Sequence, residues 1–249
     1  MHRYRIIFVK EGDFACLSHL DLQRTFIRVL RRAGMPLAYS QGFNPQPRLS
    51  FAAPLAVGIT GDREYLEIDF FRQLDSEKIK ADLNSILPAE LAVRMAQEID
   101  PKGPVLASLV KAAFYVAIFS PPVPELIPLV KNLYGSSVLE VERKGKKINK
   151  RVDIKAFIYN LYLQNAPEED KLFMFLATGN LGGTRPAEVI SLLPIKSEPE
   201  KVRRLGIFIS GNNGDEFITP EGETLSTFSN GLNLNIQDSA IRTQTPTAY

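Results

Sequence analysis

Cysteine and histidine are scarce in this chain of 249 residues, and their scarcity argues against several classes of site. The single cysteine, Cys16, has no partner for an internal disulfide. With only two histidines, His2 and His19, the sequence lacks any Cys/His cluster with the spacing of metal ligands. We therefore expect no metal site, no cofactor and no iron–sulfur cluster held by this chain alone.

Long hydrophobic runs are also missing from the sequence. The first ten residues alternate charged and apolar side chains, and no run approaches the roughly 18 apolar residues that a membrane-spanning helix needs. Hydrophobic residues make up 45% of the chain and charged residues 23%. These features predict a cytoplasmic protein, without a membrane partner, that folds into two small globular domains.

The net charge of +2 does not by itself require a nucleic-acid partner, but the charge is unevenly distributed. Residues 1–50 contain eight Lys/Arg and three Asp/Glu, whereas residues 61–100 contain five Lys/Arg and ten Asp/Glu. The first half of the chain is therefore electrically polar, and we expect one of its faces to attract anions.

Hydrophobic periodicity predicts the order β-α-β-β-α-β in the first hundred residues. The predicted strands are Arg3–Lys10, Leu49–Ala53, Tyr65–Phe70 and Leu91–Ile99, and the predicted helices are Ser18–Ala33 and Ser76–Leu87. The first helix has a buried stripe formed by Leu22, Phe26, Val29, Leu30 and Ala33. This order is typical of the ferredoxin-like fold, an antiparallel sheet with helices on one face.

A second, less regular series of elements follows. The predicted strands are Ala113–Phe119, Val138–Glu142, Ile154–Leu163, Leu172–Ala177 and Val202–Ile209, and the predicted helices are Pro124–Tyr134 and Pro186–Leu193. Together the two series predict an α+β protein of tandem ferredoxin-like domains at residues 1–104 and 105–210. Gly, Asn, Ser and Thr dominate residues 211–249, which we predict to be a flexible polar tail.

Four arginines of the first helix, Arg24, Arg28, Arg31 and Arg32, fall on one face opposite the apolar stripe. Ser18 is the predicted N-cap of this helix, with Asp21 at the capping-box position, and Gly34 and Pro36 end it. A row of cations suits a phosphate backbone. The alternative is a solvated helix surface that is rich in arginine because arginine favours helices.

The loop Tyr39–Arg48 combines amide, aromatic and basic side chains on a backbone restrained by prolines. Gln41, Phe43, Asn44 and Arg48 are the residues that we expect to contact bases or a small polar ligand. The alternative is a polar crossover between a helix and a strand.

Two later segments also suit anions. The run Arg143–Arg151 places six cations in nine residues, and we single out Lys144, Lys146 and Lys147 as phosphate contacts in a hairpin-like connection. Arg185 lies in the glycine-rich segment Thr178–Pro186, whose backbone N–H groups are suited to an anion at the start of a helix. The alternatives are a solvated loop and a turn that needs glycine.

A catalytic role is a secondary hypothesis that depends on His19. A histidine in the first turn of a helix is able to act as a general acid or base, with Asp21 or Tyr39 as its partner. The sequence offers no Ser/His/Asp arrangement by spacing, and a histidine beside a helix cap is more often structural.

Two long motifs in the N-terminal region, Leu17–Leu22 and Leu30–Leu55, closely resemble the radical-SAM-linked protein family, a bacterial domain of unknown function. Weaker similarities follow in Arg143–Lys147, Val152–Ile154, Gly182–Pro186 and Arg203–Gly206, so the resemblance covers roughly residues 3–209. The chain departs from the family at Gln46, where histidine is usual. Members occur beside or fused to B12-binding radical SAM proteins, so the resemblance implies such a protein as partner.

We therefore expect an accessory domain protein that binds RNA or presents a substrate to a radical SAM partner, and that is not catalytic by itself. The single cysteine agrees with this expectation, because the CxxxCxxC cluster motif of radical SAM enzymes is absent. One alternative is an RNA-processing or RNA-modifying enzyme that uses His19. A second alternative is a protein-interaction scaffold that binds no nucleic acid.

Overall fold

A computed structural model describes residues 1–145, 148–179, 182–211 and 216–232 of the chain. Its contacts divide the chain into two units, Met1–Val110 and Lys111–Tyr249. Strands and helices alternate in both units and most strand pairs are antiparallel, so the predicted α+β class is confirmed.

The first unit has a four-stranded antiparallel sheet and two main helices. Its elements are β1 (His2–Lys10), α1 (His19–Arg32), β2 (Leu49–Phe51), β3 (Ile59–Phe70), α2 (Ser76–Asn84), β4 (Val93–Ile99) and the single turn α3 (Leu106–Leu109). Two 3-10 turns, Gly12–Cys16 and Ala89–Leu91, precede α1 and β4. Strand β1 pairs with β3 and β4, and β2 pairs with the other edge of β3, which gives the order β4-β1-β3-β2.

Helix α1 begins and ends as its sequence predicts. The Ser18 hydroxyl accepts a hydrogen bond from the backbone N–H of Asp21, so the predicted N-cap is confirmed. At the other end Gly34 adopts a φ of 65°, which side chains disfavour, and the N–H of Met35 returns to the carbonyl of Leu30. Four of the five predicted stripe residues are fully buried, and the fifth, Ala33, packs against the same core.

The two faces of this sheet differ in chemistry because side chains alternate along each strand. Tyr4, Ile6, Phe8 and their neighbours on β3 point into the apolar core beneath α1 and α2. Arg3 and Arg5 on β1 alternate with these residues and pair with Asp69 and Glu67 on β3. The sheet is therefore apolar beneath the helices and carries buried ion pairs on the opposite face.

The second unit repeats the same strand order with an inserted hairpin. Its elements are β5 (Val110–Phe119), α4 (Leu126–Gly135), β6 (Glu140–Arg143), β7 (Lys150–Asp153), β8 (Ile158–Asn165), β9 (Asp170–Ala177), α5 (Pro186–Ile190), β10 (Lys201–Ser210), β11 (Phe217–Ile218) and α6 (Leu225–Gly231). A 3-10 turn at Lys155–Phe157 precedes β8. The main sheet has the order β10-β5-β9-β8, and β6 pairs only with β7.

Several boundaries differ from the sequence-based expectations. The apolar pattern identifies β3 only from Tyr65, but the strand starts at Ile59, because its first residues include charged side chains and glycine. Helix α2 ends at Asn84 rather than Leu87, since Pro88 follows closely and disfavours helix before it. Strand β7 is absent from the expectations because its residues, Lys-Arg-Val-Asp, lack an apolar run.

The structure also differs from the predicted flexible tail at residues 216–232. These residues form β11 and α6, and Phe228 of α6 is buried against Phe114 and Phe208 in an aromatic cluster. The Thr224 hydroxyl caps α6 by accepting a hydrogen bond from the N–H of Thr227. Residues 212–215 and 233–249, the rest of the predicted tail, lie outside the described residues.

Candidate ligand-binding site

The predicted ligand loop of the first unit is a hydrogen-bonded hairpin, which we call the polar hairpin (residues 38–48). Backbone N–H groups of Ser40 and Arg48 donate to the carbonyls of Gln46 and Ala38 at 2.8 Å each, and Tyr39 pairs with Pro47. The Ser40 hydroxyl also accepts a hydrogen bond from the N–H of Gln46, at 3.0 Å. Backbone hydrogen bonds therefore hold the hairpin, and its base is anchored where Ala38 and Pro47 are buried and the N–H of Ala38 donates to the carbonyl of Asp69.

The tip of the polar hairpin presents its side chains to solvent. Gln41, Phe43 and Asn44 are all exposed, and Phe43 is the most exposed large apolar side chain among the described residues, with a relative exposure of 112%. An aromatic ring that makes no packing contact at the end of a braced loop stabilises nothing in the folded chain. Such a ring is suited to contact a ligand.

A pocket of about 260 Å³ opens at the base of the polar hairpin. It is lined by Arg3, Ser40, Gln46, Pro47, Arg48, Leu49, Ser50, Glu67, Asp69 and Val105. Its volume is just below the usual range for sites that bind small molecules, about 300–1,000 Å³. The polar hairpin thus connects a fully exposed aromatic tip with a pocket that has both charged and apolar residues in its lining.

Buried ion pairs form the floor of this pocket. The two carboxylate oxygens of Asp69 lie 2.8 Å from Nε of Arg3 and 2.9 Å from Nε of Arg48, so one carboxylate serves two guanidinium groups. The hydrogen bond to Asp69 raises the pKa of Arg3 despite its burial. Glu67 pairs with Arg5 at 2.8 Å and also accepts a hydrogen bond from the N–H of Leu106. Both carboxylates are therefore engaged, and Arg48 shares its carboxylate partner with Arg3.

The arginines of α1 lie on the other side of the sheet from this pocket. All four members of this arginine ridge (Arg24, Arg28, Arg31 and Arg32) are exposed on the outer surface of the helix. In the pairing of β2 with β3, Ser50 lies opposite Glu67 and Phe51 lies opposite Leu66. Leu66 belongs to the core beneath α1, and Phe51 packs against that core. Because side chains alternate along a strand, Arg48 and Ser50 point away from α1. The structure therefore does not bring the ridge and Arg48 into one cleft.

At the start of the ridge, Asp21 is already paired. The hydrogen bond from the Ser18 hydroxyl, together with the nearby Arg24, lowers the pKa of the Asp21 carboxyl. The Arg24 Nη1 atom lies 3.2 Å from Asp21, and both side chains are more than half exposed. An exposed pair of this kind contributes little to stability, so Arg24 is free to exchange Asp21 for a phosphate.

His19, the candidate for catalysis, packs on an aromatic ring. Its ring centroid lies 5.2 Å from that of Phe51 in an edge-on arrangement. Within the described part of the chain His19 makes no hydrogen bond to Asp21 or Tyr39, and Asp21 is occupied by Ser18 and Arg24. His19, the first residue of α1, therefore contacts the apolar core through Phe51.

The basic segment of the second unit follows a strand, as its sequence predicts, but the strand that pairs with β6 is β7, which the sequence pattern did not indicate. Strands β6 and β7 pair from Glu140 with Asp153 to Arg143 with Lys150. Lys144 is exposed beside the turn, whereas Lys146 and Lys147 lie outside the described residues. Arg143 points to the glycine-rich loop instead of solvent, so it is not available to a phosphate.

The glycine-rich loop (residues 178–186, described except for 180 and 181) is engaged with its own helix. Glu188 accepts hydrogen bonds from the N–H of Arg185 and the hydroxyl of Thr184, at 3.1 and 2.9 Å. Arg143 reaches both Glu188 oxygens, at 2.7 and 2.9 Å, and donates to the carbonyl of Gly183. A carboxylate of the protein thus takes the place where the sequence predicted an external anion, and the Arg185 side chain is exposed beside it.

These contacts also determine the charge state of Glu188. Burial raises the pKa of the Glu188 carboxyl, but the hydrogen bonds from Arg143, Thr184 and the N–H of Arg185 outweigh it and lower the pKa. The Glu188 carboxylate is therefore held in its charged form, in which it accepts the hydrogen bonds of this loop.

The pocket beneath the polar hairpin contains residues that the sequence argument missed. Arg3, Ser50, Glu67 and Asp69 were read only as strand residues, yet they line the pocket with Arg48. The sequence did indicate a charged face on each of these strands, because Arg3 and Arg5, like Glu67 and Asp69, occupy every second position. Side chains at every second position of a strand share one face. Sequence alone did not show which strands would be neighbours.

No group of three or more His, Cys, Asp or Glu side chains is arranged to hold a metal ion within residues 1–145, 148–179, 182–211 and 216–232. Over the same ranges, no helix has both the length and the apolar character needed to cross a bilayer.

Comparison with known proteins gives a family but no characterised relative. No curated protein matches the sequence. One partly similar solved structure is a chain from "Crystal Structure of a Cbf5-Nop10-Gar1 Complex", which is 10% identical in sequence, with a TM-score of 0.46. The match covers 82% of this chain and 48% of that chain, so this chain spans about half of its length. The model of the family described as "Uncharacterized protein conserved in bacteria (DUF2344)" matches residues 3–186, and the chain therefore belongs to this family.

Proposed function

We propose that this protein is an RNA-binding accessory protein, not catalytic by itself, that holds RNA for a radical SAM partner. The main support for RNA binding is Phe43, which is fully exposed at the tip of the hydrogen-bonded polar hairpin. Proteins that read single-stranded loops stack unpaired bases on such aromatic side chains. Each stacked base contributes about 1–3 kcal/mol to binding.

The neighbours of Phe43 fit the same role. Gln41 and Asn44 are exposed on the same loop and carry amide groups that both donate and accept hydrogen bonds, as the edges of bases require. The backbone hydrogen bonds of the hairpin and its two prolines reduce the entropy lost when a ligand binds. The loop is therefore preorganised for contact with bases.

The arginine ridge supplies a second, less selective contact. Its four exposed guanidinium groups follow one helix face and suit the phosphates of a structured RNA. The ridge and the pocket beneath the polar hairpin lie on opposite faces of the first sheet. An RNA that uses both surfaces must therefore pass around the edge of the sheet, whereas a short single strand contacts only one of them.

Conservative variants of Phe43 test the stacking contact directly. Phe43→Tyr keeps the ring and should retain affinity for an RNA hairpin with an unpaired loop, measured by fluorescence anisotropy. Phe43→Leu keeps apolar volume without the ring and should bind about tenfold more weakly, since tenfold corresponds to about 1.4 kcal/mol. Equal affinity of the two variants would contradict base stacking.

A charge-matched pair of triple variants tests the ridge. Replacing Arg24, Arg28 and Arg32 by alanine should reduce the slope of log affinity against log salt concentration by about 2–3, because each lost phosphate contact contributes about 0.7–0.9. The control replaces three exposed cations outside the predicted phosphate contacts, Arg72, Arg94 and Lys131, and should leave the slope almost unchanged. Equal slopes in the two variants would show that the salt dependence of RNA binding follows the net charge of the protein and not the position of the arginine ridge.

The proposal also includes a radical SAM partner and a tandem ferredoxin-like fold. The radical SAM partner is inferred from the sequence resemblance, and the chain's one cysteine leaves cluster chemistry to that partner. The tandem ferredoxin-like interpretation is supported by the corresponding strand orders β4-β1-β3-β2 and β10-β5-β9-β8. A cytoplasmic location remains a prediction. The position of His19 on Phe51 favours binding over catalysis at that residue.

A further inference from the structure

The pocket beneath the polar hairpin has hydrogen-bond donors that the folded chain does not use. Ser50 lines the pocket, and its hydroxyl makes no hydrogen bond within the described residues. The Ser40 hydroxyl accepts the N–H of Gln46, which leaves its own hydrogen without an acceptor there. Arg48 uses Nε for Asp69, and its Nη1 meets only the Met1 sulfur at 3.8 Å.

The acceptors of the pocket, by contrast, are already engaged. Asp69 is bound by Arg3 and Arg48, and Glu67 is bound by Arg5 and the N–H of Leu106. A cation would have to compete with these ion pairs for both carboxylates. An anion needs no rearrangement of them, since the one carboxylate that pairs with Arg48 is shared with Arg3.

We propose that this pocket binds a phosphate group, with the Arg48 guanidinium and the Ser40 and Ser50 hydroxyls as donors. Guanidinium and hydroxyl donors match the oxygens of a phosphate, and ion-paired hydrogen bonds are stronger than neutral ones. Asp69 holds Arg48 through Nε, which fixes the guanidinium plane while leaving its outer nitrogens for the ligand. Pro47 and Val105 supply an apolar wall for the sugar or base attached to that phosphate.

The phosphate could come from an RNA strand or from a free nucleotide. Phe43 is three residues from both Ser40 and Gln46, so its backbone lies within about 10 Å of the pocket rim. One RNA strand is therefore able to place a base on Phe43 and a nearby phosphate in the pocket. The RNA source rests on the proposed function, whereas phosphate binding as such does not.

The test is a titration of the full chain with inorganic phosphate and with AMP, followed by the backbone amide NMR signals of Ser40, Arg48 and Ser50. We expect saturable shifts at these amides. Arg48→Gln should weaken binding at least tenfold, and Ser50→Ala, which keeps all ion pairs, should weaken it severalfold. Arg94→Ala, which removes an exposed arginine distant in sequence from the pocket residues, is the control and should bind as the wild type does.

The outcomes separate this inference from the proposed function. If the pocket amides do not shift with either probe, or if Arg48→Gln and Ser50→Ala bind as the wild type does, the phosphate pocket is overturned even when RNA still binds through Phe43. If AMP binds at the pocket and Arg48→Gln leaves RNA affinity unchanged, the pocket is supported with a free nucleotide as its source. Weaker RNA binding by Arg48→Gln supports the RNA strand as the source.

Discussion

The polar hairpin of the first unit and the glycine-rich loop of the second have similar sequence signals, but they use their polar groups differently. Both combine glycine, proline, amide side chains and an arginine between a buried element and the next one. In the glycine-rich loop, Glu188 and Arg143 consume the backbone and side-chain hydrogen bonds. In the polar hairpin the tip side chains contact solvent, and Ser40 and Arg48 retain unused donors. A loop whose polar groups form hydrogen bonds with each other has a structural role. A loop whose donors have no partner in the protein is available to a ligand.

Removing the charge at the base of the polar hairpin should have the largest effect on stability. Asp69→Asn leaves Arg3, which is buried, without its carboxylate partner and weakens the support of Arg48. Breaking a buried pair in this way costs about 3–5 kcal/mol. Urea unfolding monitored by circular dichroism measures the free energy of unfolding, with the exposed Glu77→Gln as control. A loss below 1 kcal/mol would mean that the ion pairs under the hairpin are not structural.

The corresponding change in the glycine-rich loop, Glu188→Gln, should cost less because Glu188 is partly exposed. Its hydrogen bonds with Arg143, Thr184 and the N–H of Arg185 predict a loss of about 1–3 kcal/mol at neutral pH. The folded-state pKa of Glu188 is lowered, so the stability that it contributes is present above its unfolded pKa of about 4.3. That contribution is lost as the pH falls through the folded pKa. The difference between wild type and variant should therefore shrink below about pH 4, and a difference that stays constant down to pH 2 would contradict the charged cap.

Arg143 and Arg185 of the second unit should differ in their contribution to stability, because Arg143 is paired within the protein and Arg185 is exposed to solvent. Arg143→Ala removes the bidentate contact with Glu188 and should cost about 1 kcal/mol, a value reduced by the partial exposure of the pair. Arg185→Ala removes only an exposed side chain and should change the free energy of unfolding by less than about 0.5 kcal/mol. Thermal unfolding of the two variants side by side measures this contrast. Equal losses would mean that Arg185 also supports the loop.

The smallest effect on stability is expected at the tip of the polar hairpin. Because Phe43 is fully exposed, Phe43→Ala should leave the free energy of unfolding within about 0.5 kcal/mol of the wild type. The contrasting variant is Phe228→Ala in α6, which replaces a buried ring and should cost about 3–5 kcal/mol because that ring packs against Phe114 and Phe208. Destabilisation by Phe43→Ala as large as that of Phe228→Ala would show that the ring packs inside the folded protein.

Local sequence patterns predicted the parts of the fold that depend on local chemistry. The N-cap at Ser18, the stop at Gly34 and the buried stripe of α1 all follow from spacing within one helix. These features were predictable because the residues that determine them are close in the sequence.

The pocket and the closed glycine-rich loop depend on residues that are distant in the sequence. Arg3 and Asp69 meet only because β1 pairs with β3, and Arg143 meets Glu188 across 45 positions. The buried Phe228 in the segment predicted to be a tail is a further case, because its neighbours Phe114 and Phe208 belong to β5 and β10. A one-dimensional pattern shows that a side chain is polar or apolar, but not which partner satisfies it.

The most direct test of the contrast between the two loops is the RNA affinity of Phe43→Ala compared with that of Arg185→Ala. Both variants change an exposed side chain, and both should remain folded by circular dichroism. In fluorescence anisotropy with the same RNA hairpin, Phe43→Ala should bind about tenfold or more weakly than the wild type, and Arg185→Ala should bind within about twofold of it. Unchanged affinity for Phe43→Ala, or a larger loss for Arg185→Ala, would contradict the assignment of the polar hairpin as the RNA-binding loop.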